Sequence, residues 1–355
     1  MIKILAMADL HLSTPRGELK RFGIEDPLKA IESLKETVTK EKPEVLIVAG
    51  DIFNGVKVDS TEIYLFSEFL KAVAPIGVKY SIKGNHDRGT HSIPEVVSDF
   101  IELNEEPRSI LGDVRTKKVP PANDLTISGL SFKDIDSHRE FLKTATSDIL
   151  VVHFPMSPFN SFGENISAEE CPENKLVIVG DTHVGEVYLK NNRCVVSPGC
   201  LFPSNKEELC SGKAGTSYMI LLDKDPDGEL LVDLRQICFR KRFGASLTRL
   251  SDRVGVLHAI DTIDVRNAVL KPVAYIDASI DVEKEGWDII PVRQVAGEDA
   301  SVEFSGLEGG SVDERIRSIL GKLYSDDPNK DRLTEFSMNL IKTDSPETVI
   351  EEALV

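Results

Sequence analysis

The sequence predicts an α/β (α+β) protein in which helices flank a mixed β-sandwich, followed by a smaller α+β region and a C-terminal helical segment. Over about the first 240 residues, short apolar runs alternate with stretches whose apolar residues recur at helical spacing, and the second half of that region is richer in strands. At 355 residues, with 41% of them hydrophobic, the chain can bury one large core and a smaller second unit.

The elements follow in order. Ile2 to Ala8 reads as a first strand, Pro27 to Lys42 as a helix through Leu28, Ile31, Leu34 and Val38, and Val45 to Ala49 as a second strand, which makes a βαβ unit. Thr61 to Val73 repeats the helical spacing with Ile63, Phe66, Phe69 and Leu70, and Pro75 and Gly77 mark the turn into a third strand, Val78 to Ile82. Thr126 to Leu130, Ile149 to His153, Leu176 to Val179, Val195 and Val196, Tyr218 to Leu222, and Leu230 to Phe239 then read as strands. Helices covering a mixed sandwich suit this pattern better than a purely doubly wound sheet.

A boundary is expected between Phe239 and Ser251, where Arg240, Lys241 and Arg242 precede Gly244. Residues 1–240 form the first domain on this reading, and residues 246–305, with Val273 to Ala278 as a clear strand, form the second. Gly306, Gly309 and Gly310 mark a joint before a segment over 311–355. In that segment Asp313 to Tyr324 and Arg332 to Ile341 read as amphipathic helices, with Ser311 and Asp313 as candidate N-caps.

Composition excludes several classes. No stretch approaches the roughly 20 consecutive apolar residues of a membrane span, and the first residues lack a signal-peptide cleavage pattern, so a cytoplasmic protein without membrane contact is expected. Five cysteines, odd in number and without a Cys-x-x-Cys pair, indicate neither a disulfide framework nor a zinc ribbon. A net charge of −17 argues against a protein that simply coats nucleic acid. A metal site can still recruit phosphates locally.

Four strings follow apolar runs: Asp9-Leu10-His11, Gly50-Asp51, Gly84-Asn85-His86-Asp87 and Gly180-Asp181-Thr182-His183. Each places polar atoms at the C-terminal end of a strand, where open α/β sheets build sites. One Asp-x-His is weak evidence, but four of the seven histidines, His11, His86, His153 and His183, follow strand runs beside acidic or amide partners. Asp, Asn and His together are the ligand set for two hard or borderline divalent cations, with Asp51 placed to bridge them. Such a pair suits phosphoester hydrolysis. A Gly-rich phosphate loop with Lys and Ser/Thr is missing, so nucleotide-driven chemistry is not suggested on this chain.

These strings resemble the signature of the calcineurin-like metallophosphoesterases: Asp-x-His, Gly-Asp, Gly-Asn-His-(Asp/Glu), a lone His, and Gly-His-x-His. Within that superfamily the layout is similar to SbcD-type double-strand-break repair nucleases, including phage recombination nucleases of that type. The match covers roughly the first 200 residues, Ser197-Pro198-Gly199-Cys200-Leu201 resembling the loop after the last motif. The resemblance implies the four-layer metallophosphoesterase sandwich and two divalent cations, and oxygen in place of nitrogen at Asp181 favours Mn2+ or Mg2+ over softer ions. It implies that Asp9, His11, Asp51 and His183 hold the first cation, with Asp51 bridging, that Asn85, His153 and Asp181 complete the second, and that His86 is the catalytic histidine. Asp87 either orients His86 or stabilises the turn, and both roles stay open.

Two departures accompany the resemblance. Asp181 stands where the family has histidine, and it reaches the second cation directly, through water or not at all. Asn54 stands where repair nucleases often carry another histidine. His91, His138 and His258 match no pattern and read as ordinary histidines, and Trp287 reads as packing.

Contacts to DNA phosphates are expected from Arg16, Lys20 and Arg21 after the first motif and from Arg240, Lys241 and Arg242 near the boundary, unless these charges simply face water. The leading reading is a DNA exonuclease and endonuclease in end processing, recombination, repair and replication. The resemblance implies a coiled-coil, SMC-like ATPase as partner and a possible homodimer. The C-terminal helices serve as its docking segment or pack on their own domain. A metallophosphatase or cyclic-nucleotide phosphodiesterase of the same superfamily, and a catalytically weak scaffold that binds DNA ends, are the alternatives.

Overall fold

The runs Val45 to Ala49, Ile149 to Val152 and Leu176 to Val179 are apolar at odd and even positions alike, so both faces of each must be covered, while Val78 to Ile82 alternates its apolar residues with Lys79 and Ser81. A computed structural model of the chain describes residues 1–292, except 56–57, 88–99, 111–124, 160–163, 212, 226, 240–241, 251, 264 and 266–267. The first strands in chain order are β1 (Ile2–Met7), β2 (Val45–Ala49), β3 (Val78–Ile82), β4 (Ile101–Glu102), β5 (Arg108–Ser109), β6 (Thr126–Leu130) and β7 (Ile149–His153). They are followed by β8 (Met156–Ser157), β9 (Ile166–Ser167), β10 (Leu176–Gly180), β11 (Glu186–Lys190), β12 (Arg193–Ser197), β13 (Thr216–Lys224) and β14 (Leu230–Cys238). One six-stranded sheet runs β14-β13-β1-β2-β3-β4 and a second β11-β12-β10-β7-β6-β5. Both are mixed: β1 to β4 run parallel, as do β6, β7, β10 and β12, while β13, β14, β5 and β11 pair antiparallel.

Alternation along each strand builds the layers. Ile4, Ala6, Ile47 and Tyr80 of the first sheet pack against Ile127, Val151 and Ile178 of the second, forming the central layer of the core. On the outer face of the first sheet, Leu5, Met7, Leu46 and Val48 meet Leu34 and Val38 of α1 (Glu25–Glu41) and Phe66 and Phe69 of α2 (Ser60–Val73). On the outer face of the second, Val152, Val177 and Val179 meet Phe141 and Leu142 of α3 (Ile135–Thr144). The result is a four-layer α/β/β/α sandwich. Burying each such apolar side chain contributes about 1.5–3 kcal/mol, whereas a helix cap contributes about 1 kcal/mol; the interlayer packing therefore dominates.

The caps set where helices begin. Asp59 accepts from the Glu62 N–H at 2.8 Å while Glu62 accepts from the Asp59 N–H at 2.8 Å, a capping box that starts α2. Asp134 accepts from the Ser137 N–H and starts α3. The apolar content of α3 is low, and its helical stripe is legible mainly against the sheet it covers.

Beyond β14, a short helix α4 (Lys206–Ser211) having preceded β13, the chain forms β15 (Gly244–Ser246), α5 (Arg253–Thr262), β16 (Val273–Asp277) and β17 (Asp288–Val292), the three strands being parallel. Val256, Ile260, Ala274, Ile276, Val282 and Trp287 give this region its own apolar cluster, and Trp287 is packing, as expected. A second cluster, Leu19, Leu209, Val273, Tyr275 and Ile290, ties it to the loop after β1 and to α4. The C-terminal helices expected over 311–355 lie outside the described residues. No helix among the described residues is long and apolar enough to cross a membrane.

Candidate metal centre

Register brings the strand ends together. Met7 pairs with Val48, Ala49 with Ile82, and His153 with Gly180, so the loops after β1, β2, β3, β7 and β10 leave from C-terminal ends of parallel strands. The backbone there is strained: Asp9, His11, Asp51, Asp181 and His183 all have positive φ, between 40° and 78°. Asp and His tolerate this left-handed region better than most side chains, but each such residue costs on the order of 1–3 kcal/mol. The strain turns five side chains inward, and the glycines between them make room. A β-carbon on Gly84 would lie 2.0 Å from Oδ1 of Asp51, and one on Gly180 would lie 2.1 Å from the Ala49 carbonyl.

Two overlapping groups of donors result among the described residues: Asp9, His11 and His183, and Asp9, Asp51 and His153. His11 Nε2 and His183 Nε2 are 3.0 Å apart, and His183 Nε2 lies 3.9 Å from the Asp9 carboxylate. Asp51 Oδ2 sits between His11 Nε2 at 3.6 Å and His153 Nε2 at 3.4 Å, the position a bridging carboxylate requires. Asn85 Oδ1 is 3.0 Å and Asp181 Oδ1 3.8 Å from the same His153 nitrogen. The Asp181 N–H donates to both oxygens of Asp9, at 3.0 and 3.1 Å, which pins the fourth string to the first.

Tautomers follow from the outer partners. His153 Nδ1 donates to the Ala49 carbonyl at 2.7 Å, because a carbonyl only accepts, so its Nε2 is directed at Asp51, Asn85 and Asp181. His183 Nδ1 meets Glu208 Oε1 at 2.9 Å, leaving Nε2 to face His11. The donor atoms that a cation needs therefore point at one another.

Burial and charge agree with that reading. Burial pushes the Asp9 carboxyl up to about 6, against the pull of His183 and His153. Burial likewise opposes charge on His153 and His183, yet the Asp51 and Asp9 carboxylates raise His153 to about 10, and Glu208 and Asp9 raise His183 to about 9. His11 is held down to about 3 by burial and by the neighbouring His183. Burial raises the Asp181 carboxyl as well; for Asp51 burial is the largest influence, but His153, His11 and the His86 N–H together outweigh it and keep the carboxylate below its usual range. The buried set brings the carboxylates of Asp9, Asp51 and Asp181 to the imidazoles of His153 and His183. Divalent cations fit the same positions, because they satisfy converging oxygens and nitrogens with fewer buried protons.

His86 stands at the open side. Its ring Nδ1 donates to the Asn54 carbonyl at 2.9 Å, its N–H donates to Asp51 Oδ1 at 2.9 Å, and its Nε2 is 4.0 Å from Asp51 Oδ2, the side chain being 34% exposed and so open to a ligand. Of the two roles left open for Asp87, its hydrogen bonds favour the turn. The Asp87 carboxylate accepts from the N–H groups of Asp51, Ile52, Phe53 and Gly84, at 2.7 to 3.4 Å, and so stabilises the turn by clamping the second string to the third. Asn54, the other departure, holds the His86 ring through its backbone and the Arg16 guanidinium through its side chain.

Arg16, Lys20 and Arg21 are exposed after β1. Arg242 is not, and its expected role in phosphate contact is corrected: 3% exposed, it pairs with Asp26 at 2.8 Å, donates to the Lys271 carbonyl and covers the Phe22 ring. Arg242, one member of the basic run, here supplies a buried joint. Arg240, Lys241 and His91 lie outside the described residues. His138 is buried against Phe154, and His258 is exposed on α5, away from any string. All five cysteines are free; Cys171 and Cys200 are buried, which raises their thiols.

Glu208 was not legible as part of the site. It lies 25 positions beyond His183, on α4, and no spacing links the two before the chain folds. The acidic Lys206-Glu207-Glu208 stretch after the Ser197-Pro198-Gly199 loop is the signal available in the sequence.

Residues 2–185, which hold every metal-ligand candidate, match the family model for calcineurin-like phosphoesterase. Among curated proteins the chain is 22% identical over 231 residues to the DNA double-strand break repair protein Mre11 of Aeropyrum pernix, covering 59% of this chain and 56% of that protein. It is 35% identical over 86 residues to the protein of the same name from Nanoarchaeum equitans, covering 24% and 23%. The chain thus spans about half or less of the curated relatives it matches. Among solved structures, Yfce, a phosphoesterase from E. coli, aligns at 13% identity over 67% of this chain and all of that one, with a TM-score of 0.33. The family match extends over more than half of the chain and ends just past His183, the last member of the Asp/His cluster, and the chain belongs to the calcineurin-like phosphoesterases, hydrolases that act on phosphoester bonds with divalent metals.

Proposed function

We propose that this chain is a dinuclear-metal-dependent DNA phosphodiesterase, an exonuclease and endonuclease that processes DNA ends in recombination, repair and replication. The observation that carries the chemistry is the meeting of five strand ends at one buried Asp/His cluster. The substrate class is supported by likeness to the two archaeal repair proteins. Asp9, His11, Asp51 and His183 hold one cation, and Asn85, His153 and Asp181 complete a second, with Asp51 shared. The oxygen-rich set suits Mn2+ or Mg2+. Two such cations, when bound, polarise the phosphoryl oxygens and lower the pKa of a water.

The chain's own residues do the rest. His86, held through Nδ1 by the Asn54 carbonyl, keeps Nε2 toward the cluster and open to substrate, where it donates a proton to the leaving oxygen or stabilises its charge. Asp87 and Asp9 keep the loops in register by accepting from backbone amides. Arg16, Lys20 and Arg21 contribute phosphate contacts, which position a duplex without reading its sequence. On this reading residues 246–305 serve as a capping and DNA-binding domain, and residues 311–355 dock a coiled-coil, SMC-like ATPase in a cytoplasmic complex, with homodimerisation as part of the same proposal.

The test is cleavage of end-labelled duplex and single-stranded DNA by the purified chain with Mn2+, beside H86A and beside a small aryl phosphate. Metal-dependent cutting of DNA that H86A lacks supports the proposal. Hydrolysis of the aryl phosphate alone turns it into a phosphatase. No hydrolysis of either, with DNA-end binding retained, turns it into a scaffold.

A further inference from the structure

We infer that Glu208 is a positioning residue for the metal centre, one that fixes the ring of His183 and strengthens its Nε2 as a donor. This rests on the reading of His183 as a metal ligand. Three observations carry it. First, Glu208 Oε1 lies 2.9 Å from His183 Nδ1, the nitrogen turned away from the cluster, while Nε2 faces His11 and Asp9. A carboxylate on the outer nitrogen of a ligating imidazole sets both tautomer and orientation.

Second, Glu208 is itself immobilised. Its Oε2 accepts from the N–H of Ser204 at 2.7 Å and from the Ser204 hydroxyl at 3.0 Å, its Oε1 accepts from Asn205 Nδ2 at 2.8 Å, and its own N–H donates to Asn205 Oδ1 at 2.9 Å. A side chain 14% exposed with every oxygen engaged cannot swing away without leaving donors unpaired. Third, the same loop touches the other side of the site, because the Arg16 N–H donates to the Ser204 carbonyl at 2.7 Å. Glu208 therefore joins a ligand of the fourth string to the loop after the first string, two segments that no β-pairing connects directly.

The alternative is that Glu208 only braces the 198–205 loop, and metal affinity separates the two. The metal-stripped chain is titrated with Mn2+, with free Mn2+ followed by electron paramagnetic resonance, for wild type, E208A, E208Q, S204A and H183A. Removing such an outer partner lowers metal affinity roughly 10- to 100-fold, so E208A is expected to fall in that range. E208Q, which keeps the size and loses the charge, should fall at least about fivefold, on the same principle. S204A, which loses a loop hydrogen bond and leaves the His183 contact in place, should stay within about threefold of wild type. Should E208A fail to fold, E208Q carries the test. Affinities of E208A and E208Q within twofold of wild type while H183A binds weakly overturn the inference alone, as does a loss in S204A equal to that in E208Q. An H183A affinity equal to wild type overturns the reading of His183 beneath it.

Discussion

Gly84 lies against Asp51 so closely that a β-carbon at position 84 would sit 2.0 Å from Oδ1 and 2.6 Å from the Asp51 backbone nitrogen. The glycine of the third string is thus a space requirement of Asp51 in the second. Gly84→Ala is expected to displace Asp51 from between His11 and His153. A misplacement of about 1 Å in a reacting assembly costs on the order of 100-fold, so kcat/KM should drop at least that far while far-UV circular dichroism stays native.

Asp51 and His86 should separate metal binding from proton transfer. Asp51→Ala should lose both cation affinity and hydrolysis without unfolding the chain. His86→Ala should keep cation affinity and lose roughly 10²- to 10⁴-fold in kcat, the worth of a positioned general acid. Titration calorimetry with Mn2+ beside single-turnover hydrolysis checks both, and unchanged cutting by either variant would contradict the roles given to them.

The pH dependence of metal binding has a definite sign. His183 at about 9 and His153 at about 10 are raised above the ordinary histidine value. Their protonated forms stabilise the metal-free protein fully below about 6.5, and that contribution disappears as pH rises through 9 and then 10. A cation needs both imidazoles neutral, so it must displace those protons, at a cost that shrinks with rising pH. Mn2+ affinity should therefore rise from pH 6.5 to 9, by up to about tenfold per pH unit for each proton displaced. Below pH 6 the Asp9 carboxyl adds a further competing proton. The increment in Tm given by fixed Mn2+ should grow over the same interval, and a flat increment would count against protonated imidazoles in the metal-free centre.

Arg242 should matter for stability. Its pairing with buried Asp26 leaves an uncompensated carboxylate if the arginine is removed. Arg242→Ala is expected to cost about 3–5 kcal/mol in urea unfolding, and the double variant D26A/R242A less than the sum of the single ones. The salt dependence of DNA binding should not change, since the guanidinium does not reach the surface.

Asp181 is tested by exchange. Asp181→Ala should raise the Mn2+ concentration needed for half-maximal activity, and Asp181→His should restore tight binding with a shift toward softer ions such as Zn2+. Identical titrations for wild type and both variants would mean that Asp181 does not ligate.

Val45–Ala49 and Ile149–His153 were legible because they are apolar on both faces, Val78–Ile82 because Val78, Tyr80 and Ile82 alternate with Lys79 and Ser81, and each run leads into groups that cannot be buried without partners. Val45–Ala49, Val78–Ile82 and Ile149–His153 coincide with the runs read from the sequence. Edge strand β11 was not, since its half-exposed Glu186–Lys190 shows little of the apolar excess that marks a buried strand. Nor was α3, whose stripe of Phe141 and Leu142 is too short to stand out before it meets the sheet.

Residue types and their order along the chain were enough to point to a candidate metal cluster and to its family, because Asp, Asn and His recurring at strand ends form a ligand set for divalent cations. Those facts are local and survive in a linear string. Distances across the sheets decided the rest. Asp87 clamps amides, Arg242 is a buried joint, and Glu208 braces His183 from 25 residues away. Each of these roles depends on what another segment brings within hydrogen-bond reach, and that is set by the packing of the two sheets and the loops between them.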